Sequence, residues 1–154
     1  MKWKEEMMLK QPIEKVWQLF LDENAKILYP KLEDHVLVEN ENNETGAKHA
    51  QSYMEGKQLQ TYIVETKLFI DTPNRKVRHT QFEMNGLFEI DYIFTLDKKG
   101  EDLTLFTYEG TQKGLTVTGK AMLMAGSKKR RNETVIDFMQ RVETKAEKLE
   151  KNKW

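Results

Sequence analysis

The feature that most constrains the fold is a run of alternating apolar residues from Phe88 to Leu96. Phe88, Ile90, Tyr92, Phe94 and Leu96 occupy every second position. Successive side chains of a β-strand point to opposite faces, so this spacing predicts a strand with one apolar and one polar face. Such a strand is typical of an antiparallel sheet that is covered on one side only.

Similar strand patterns fill the chain from His35 to Glu109, and only short turns separate them. Asn85-Gly86 is a dipeptide typical of tight hairpins, and Asp71-Thr72-Pro73-Asn74 is a second strong turn. Parallel pairing needs a crossover of a dozen residues or more, so these strands must pair antiparallel. With a further strand predicted at residues 1–9, we expect about six or seven strands.

Helical periodicity appears in two regions. Two short helices are predicted after the first strand, the first beginning near Pro12 and the second ending before Pro30. From Gly114 to the chain end, one apolar stripe predicts a helix of about 35 residues, with a kink or break at Gly126-Ser127. This long helix is the only element large enough to cover the apolar face of the sheet, which predicts a two-layer α+β fold.

Composition excludes several classes of protein. The length of 154 residues fits one domain spanning 1–154, and the absence of cysteine excludes disulfides, zinc–thiolate sites and a cysteine nucleophile. Lys plus Arg and Asp plus Glu both number 25, so the chain lacks the excess of basic residues that is typical of nucleic-acid-binding proteins. No apolar run is long enough to span a membrane, and the charged N-terminus lacks a signal core. We therefore expect a soluble cytoplasmic protein without stable membrane insertion.

The order of elements, together with the segment Gln11-Pro12-Ile13-Glu14-Lys15-Val16-Trp17, Gly46, Pro73 and Tyr92, resembles the START-like superfamily. This superfamily is also described as SRPBCC, Bet v 1-like or polyketide cyclase-like. The resemblance implies a helix-grip fold, in which a curved antiparallel sheet surrounds a long C-terminal helix. It also implies a deep cavity between sheet and helix, which many members use for lipids, polyketides or other apolar ligands.

Aromatic and methionine residues on the predicted strand faces and terminal helix are the candidates for lining such a cavity. They are Tyr53, Tyr62, Phe82, Met84 and Tyr92 from the strands, and Met122 and Met124 from the helix. A ligand pocket needs apolar walls with a few polar groups, and tyrosine supplies both. The alternative is that these residues form a closely packed core without a void.

The basic run Lys128-Lys129-Arg130-Arg131 is the sharpest local feature. Four consecutive helical residues point to all sides of the helix, and on the helical wheel Lys128 and Arg131 fall inside the apolar stripe. One of these two side chains could then point into the cavity mouth and pair with a carboxylate or phosphate of the ligand, for which Arg131 offers a bidentate fit. Alternatively, a break at Gly126-Ser127 shifts the phase, or the long side chains reach water. A membrane contact is a weaker alternative, because Glu133 and Asp137 dilute the positive charge.

No catalytic residue, metal ligand or cofactor is predicted. His35, His49 and His79 are widely spaced, and no carboxylate lies beside them at a spacing typical of metal sites. Glu89 and Asp91 alternate onto the polar face, and a general acid must be partly buried, so both are poor catalytic candidates. Neither Ser52 nor Ser127 occupies a nucleophile elbow.

These sequence features are compatible with three functions. The first is a carrier or sensor that binds an apolar ligand, which is lipid-like, polyketide or aromatic and could have an acidic end. The second is a cyclase or aromatase type of enzyme, with Tyr92, Tyr62 and His79 as its polar groups. The third is an interaction protein similar to the chaperone-regulator branch of the superfamily. Its contact surface would be the outer sheet face or the basic run. Ile63 and Phe69, expected on the outer sheet face, are the only indication of an apolar patch outside the cavity.

Overall fold

The computed structural model describes residues 1–150 and residue 154, and consists of seven strands and four α-helices. Their order is β1 (Lys2–Leu9), α1 (Ile13–Trp17), α2 (Ala25–Leu28), β2 (Leu32–Glu39), β3 (Lys48–Glu55), β4 (Gln58–Asp71), β5 (Arg75–Met84), β6 (Phe88–Gly100), β7 (Leu103–Gly114), α3 (Val117–Ala125) and α4 (Lys128–Lys148). Two 3₁₀ turns, Gln18–Phe20 and Asp22–Asn24, connect α1 to α2. No described helix has the length and apolarity needed to cross a bilayer.

All seven strands form one antiparallel sheet in the order β1-β7-β6-β5-β4-β3-β2. Strands β2 to β7 are joined in sequence as a meander, and β1 pairs with β7 at the opposite edge from β2. The predicted hairpin at Asn85-Gly86 is confirmed. Both residues have positive φ, 55° and 67°, which an Asn-Gly turn tolerates. The α+β helix-grip architecture predicted from the sequence is confirmed.

The core lies between the concave face of the sheet, the short helices and α4. Phe94 and Phe106 from the sheet pack against Phe20 and Phe138, with ring centroids 5.1 to 5.7 Å apart for the Phe20–Phe94, Phe20–Phe106 and Phe94–Phe138 pairs. Val142 in α4 is fully buried beside them. These contacts attach α4 and the short helices to one half of the concave face and leave the other half for the site described below.

The terminal helix is divided where the sequence predicts, at Gly126-Ser127. α3 ends at Ala125, and Ser127 begins α4 by accepting a hydrogen bond from the Arg130 backbone N–H at 3.3 Å. The sequence predicts a helix that reaches the chain end, but α4 ends at Lys148, and residues 151–153 lie outside the described part of the chain. The break means that α3 and α4 do not share one apolar stripe.

A register shift in β4 corrects one prediction about side-chain orientation. Pairing with β5 is irregular between Thr66 and Leu68, which places two residues of β4 where one would fit. As a result Leu68 is exposed, and Phe69 faces inward with its ring 5.2 Å from that of Trp17. Phe69 therefore does not contribute to the outer surface, although Ile63, before the bulge, does.

Candidate functional site

A cavity of about 300 Å³ lies between the concave face of β3 to β6 and the segment that carries the short helices. Tyr53, Tyr62, Phe82, Met84 and Tyr92, which are the five strand residues expected to line a cavity, all line this one. They come from four neighbouring strands, and each points to the same face of the sheet. The structure thus brings this predicted set together around one space.

The cavity walls are mainly aromatic. The Phe82 ring lies between those of Tyr62 and Tyr92, with centroid separations of 6.0 and 5.9 Å. Burial raises the pKa of Tyr53 to about 12 and also raises the pKa of Tyr92. Both phenols therefore keep their protons at neutral pH. The Tyr53 proton is donated to Gln51 Oε1, so Tyr92 is the phenol that can donate a hydrogen bond to a ligand.

One end of the cavity is formed by four ionisable side chains, Asp22, His35, His49 and Arg78, which we call the buried ionic network. Asp22 Oδ1 lies 2.7 Å from Arg78 Nη2, 2.8 Å from His35 Nε2 and 3.4 Å from His49 Nε2. The exposed fraction is 6% for both Asp22 and Arg78. Charges this deeply buried persist only when they are paired and hydrogen-bonded, and this carboxylate and guanidinium are both.

Loop geometry holds Asp22 in place. Asn43, in the connection between β2 and β3, donates its backbone N–H to Asp22 Oδ2 at 2.7 Å and accepts the Asp22 backbone N–H at 2.8 Å. Asn43 has φ of 56°, a conformation that asparagine adopts more readily than most residues. Burial alone would raise the pKa of Asp22, but hydrogen bonding to His35 and the charge of Arg78 outweigh it and hold the pKa well below its usual range. Asp22 is therefore a carboxylate at neutral pH.

A chain of hydrogen bonds connects this network to the predicted cavity residue Tyr53. The Tyr53 hydroxyl donates to Gln51 Oε1 at 3.0 Å, and Gln51 Nε2 lies 3.1 Å from His35 Nδ1. Because Gln51 Nε2 can only donate, Nδ1 of His35 accepts and its Nε2–H donates to Asp22. The tautomer of His35 is fixed by this chain, which runs from the aromatic wall to the buried carboxylate.

His49 is the network member that has capacity left for a ligand. Its Nε2 lies 2.7 Å from Asn42 Oδ1 and near Asp22 Oδ1, so two acceptors surround that atom and it carries the proton. Within the described residues, its Nδ1 has no hydrogen-bond partner. Burial, opposed by the Asp22 carboxylate, lowers the pKa of His49 to about 4. At neutral pH His49 is uncharged and offers Nδ1 as an acceptor.

The donor atoms of Asp22, His35 and His49 lie within 4.8 Å of one another, which raises the question of a metal ion. A metal binds an imidazole nitrogen in the ring plane, along its lone pair. The two imidazole rings are stacked with centroids 4.2 Å apart and planes 9° from parallel, so no ion can lie in both planes. The Asp22 oxygen between them is already bonded to Arg78. The arrangement suits hydrogen bonding and does not fit metal coordination.

A second, wider recess of about 630 Å³ lies between α3, α4 and the β1-β7-β6 side of the sheet. Met122 and Arg131, both predicted from the sequence, line this recess, and Tyr29 and Tyr92 line both spaces. Arg131 is not free there, because Nη2 donates to the Gly126 carbonyl at 2.8 Å and Nη1 contacts Met1 Sδ. Arg130 also borders the recess and is exposed, which shows that the recess opens to solvent.

Three residues considered from the sequence lie away from both spaces. Met124 is 87% exposed and lines neither cavity, because the break at Gly126-Ser127 rotates α3 out of phase with α4. Lys128 is exposed for the same reason, which corrects its predicted position inside the apolar stripe. His79 pairs with Asp91 at 2.7 Å on the opposite face of the sheet from Phe82 and Met84, so it cannot act on a ligand in the cavity.

The buried ionic network was not predicted from the sequence. A usable signal existed in β5, where alternation places Arg78 on the same face as Phe82 and Met84, an unusual position for an unpaired arginine. In β3 the same alternation places His49 with Tyr53. Their carboxylate partner could not be found in this way, because Asp22 lies in a turn 56 residues before Arg78.

Comparisons with known proteins bear on the fold. No protein-family model matches the sequence, and no curated protein sequence is significantly similar to it. Among solved structures, Ara h 8.0201 aligns over 96% of this chain and 95% of its own, with a TM-score of 0.71 and 13% identity. Ginseng major latex-like protein 151 from Panax ginseng aligns over 97% and 98%, with a TM-score of 0.64 and 16% identity.

A third similar structure is an enzyme. Norcoclaurine synthase from Thalictrum flavum, in complex with dopamine and hydroxybenzaldehyde, aligns over 98% of this chain and 89% of its own, with a TM-score of 0.66 and 10% identity. At such identities the alignments establish the backbone architecture and leave activity open. The resemblance found in the sequence is confirmed at the level of the fold: the chain has the helix-grip fold that these solved structures share.

Proposed function

We propose that this protein is a carrier or sensor that binds an aromatic or otherwise apolar small molecule carrying a hydroxyl group. The observation that carries the proposal is the 300 Å³ cavity, whose aromatic walls end at the buried ionic network. Pockets of this size, apolar with a few convergent polar groups, are typical of small-molecule sites. A hydroxyl on the ligand can donate to Nδ1 of His49, while protonated Tyr53 and Tyr92 lie along the walls.

The cavity itself is tested with 8-anilinonaphthalene-1-sulfonate, an aromatic dye that fluoresces when it leaves water. Thr80→Trp fills the cavity from β5, and we expect at least a tenfold loss of dye affinity because the space is smaller than the dye and indole together. Thr144→Trp, on the exposed side of α4, is the matched control and should bind as wild type does. Equal binding by the two variants would mean that the dye binds elsewhere and would remove the proposal's support.

Arg131 tests whether the ligand has an acidic end. It lines the wider recess with Arg130 and Arg141, so an anionic group there would meet several guanidinium groups. If the dye occupies the cavity and its sulfonate extends past Tyr29 and Tyr92 into the wider recess, Arg131→Leu should weaken its binding about fivefold to tenfold. The binding of uncharged Nile red should stay unchanged. A parallel loss for both dyes would indicate that Arg131 only stabilises the break at Gly126.

An enzyme that uses the same cavity is the second candidate, and the buried ionic network favours it. A carboxylate, two imidazoles and a guanidinium meet at the cavity end, and such groups are what a proton-transfer site requires. A pKa of about 4 makes His49 a weak base, which favours a binding protein over an enzyme.

The test for catalysis follows exchange of carbon-bound protons for deuterium in a panel of small ketones and aromatic aldehydes, by NMR in D₂O. Catalysed exchange that is lost in His49→Asn but retained in His79→Asn, on the other face of the sheet, would establish proton transfer at His49. Exchange at the buffer rate with wild-type protein leaves binding as the function.

A further inference from the structure

The face that α3 turns to solvent is apolar. Val117, Ala121 and Met124 are spaced at i, i+4 and i+7, so they lie on one side of the helix, and all three are exposed. The exposed fraction is 85% for Val117 and 87% for Met124. A helix on a protein surface normally exposes polar residues to water, whereas α3 exposes apolar ones.

Packing at Gly119 explains why α3 lies this way round. Gly119 is the buried residue of α3, and a Cβ atom built there would lie 2.2 Å from the carbonyl oxygen of Leu87, in the β5–β6 turn. Only glycine allows the helix to approach the turn so closely. The close contact fixes the rotation of α3 and directs Val117 and Met124 outward.

The same region is strongly basic. Between residues 111 and 132 there is no acidic residue, although the whole chain has equal numbers of acidic and basic residues. The basic residues in this stretch are Lys113, Lys120, Lys128, Lys129, Arg130 and Arg131. Glu133 and Asp137, which dilute the run in the sequence, come later along α4 and outside this stretch. Positive charge and exposed apolar side chains therefore coincide at α3 and the first turn of α4, which we call the α3 lip.

We propose that the α3 lip docks on the surface of an anionic lipid bilayer, with Val117 and Met124 inserted shallowly among the lipids. Apolar side chains flanked by lysine and arginine are the features that hold a helix in the interface of a charged membrane. A nucleic acid would satisfy the basic residues but gains nothing from the exposed Val117 and Met124, so the bilayer fits both observations. The lip also borders the wider recess through Met122 and Arg130, which would place its opening at the membrane.

Vesicle flotation tests the proposal with the complete chain. We expect binding to vesicles of phosphatidylcholine with 30% phosphatidylglycerol, and at least tenfold weaker binding to pure phosphatidylcholine. Each basic residue near an anionic surface contributes about fivefold to partitioning, so Lys128→Glu with Lys129→Glu should reduce binding at least about twentyfold. Val117→Ser with Met124→Ser should reduce it about tenfold by removing the inserted groups.

Matched controls make the same changes elsewhere. Lys98→Glu with Lys99→Glu alters two exposed lysines at the opposite end of β6, and Ile63→Ser removes an exposed apolar side chain from the outer sheet face. Both should bind vesicles as wild type does, and urea midpoints verify that every variant is folded. Absence of binding to the anionic vesicles, or equal losses in lip and control variants, would overturn the proposal.

Binding to an RNA homopolymer without binding to vesicles would assign the surface to nucleic acid and would also overturn the proposal. No dye or cavity ligand is present in the assay. A negative result in the vesicle assay therefore does not contradict the cavity proposal, and a negative result in the dye experiment does not contradict the α3 lip proposal.

Discussion

Replacing Asp22 by asparagine should destabilise the protein strongly, although the change in volume is small. The substitution removes the negative charge 2.7 Å from the Arg78 guanidinium, and both side chains are almost inaccessible to water. Removing one partner of a buried ion pair leaves the other charge uncompensated, which costs about 3–5 kcal/mol. Arg78 keeps hydrogen bonds to the Phe20 carbonyl and to Thr66 Oγ1, at 2.7 and 3.0 Å. We therefore expect a loss of about 3 kcal/mol, at the lower end of that range.

Equilibrium urea unfolding measures this loss. For a slope of about 2 kcal/mol per molar urea, the expected change lowers the midpoint by about 1.5 M. Asp97→Asn is the matched control, because Asp97 also pairs with an arginine, Arg75 at 2.9 Å, but that arginine is 64% exposed. An exposed pair contributes less than about 1 kcal/mol. A midpoint for Asp22→Asn within 0.5 M of that for Asp97→Asn, on the order of 1 kcal/mol, would refute the reasoning.

A double-mutant cycle then separates the pair from its surroundings. Arg78→Met removes the opposite charge and should destabilise the protein by itself, since it leaves Asp22 buried without its cation. Combining the two substitutions removes both charges together. The double variant should therefore lose less stability than the sum of the single variants, by about 1–3 kcal/mol.

Two further predictions concern pH and packing. The pKa of His49 is about 4 in the folded chain and about 6.5 in the unfolded chain. Between pH 4 and pH 6.5 the unfolded chain therefore binds more protons than the folded chain does. The stability that is present above pH 6.5 is lost as the pH falls towards 4. After allowance for solvent screening the loss is on the order of 2 kcal/mol, and urea midpoints from pH 7 to pH 4.5 should fall less in His49→Asn than in wild type. Gly110→Ala would place a Cβ atom 1.9 Å from the Trp3 ring, whereas Gly100→Ala meets Leu103 Cβ at an ordinary 3.4 Å. The first should lower the melting temperature by about 3–10 °C and the second by less than about 2 °C, and equal values would contradict the packing described for Trp3.

The sheet and its pairing were predictable because local signals agreed with one another. Alternation from Phe88 to Leu96 and the Asn85-Gly86 turn need only neighbouring residues to be recognised. The predicted lining residues from Tyr53 to Tyr92 follow from the same alternation, since five side chains on one face of four strands must share a space.

What could not be predicted depends on contacts across the fold or on small shifts of phase. The bulge before Leu68 has no signature in the residues around it, yet it reverses the orientation of Phe69. The break at Gly126-Ser127 was predicted, but its effect on Met124 depends on the contact between Gly119 and Leu87. In the sequence alone, Asp22 is a residue that ends a helix. Its ion pair with Arg78 exists only in the tertiary structure, so it could not be predicted from local patterns.

The two tyrosine rings that line both the cavity and the wider recess have a consequence for ligand binding. Tyr29 and Tyr92 line both the cavity and the wider recess, so a ligand that displaced either ring in one space would reshape the other. Binding in the cavity and binding in the wider recess would then be thermodynamically linked, and the linkage would be reciprocal. A long ligand that displaced both rings would extend through the cavity and the wider recess. Two short ligands, one in each space, would contact the same two rings and either compete or stabilise one another.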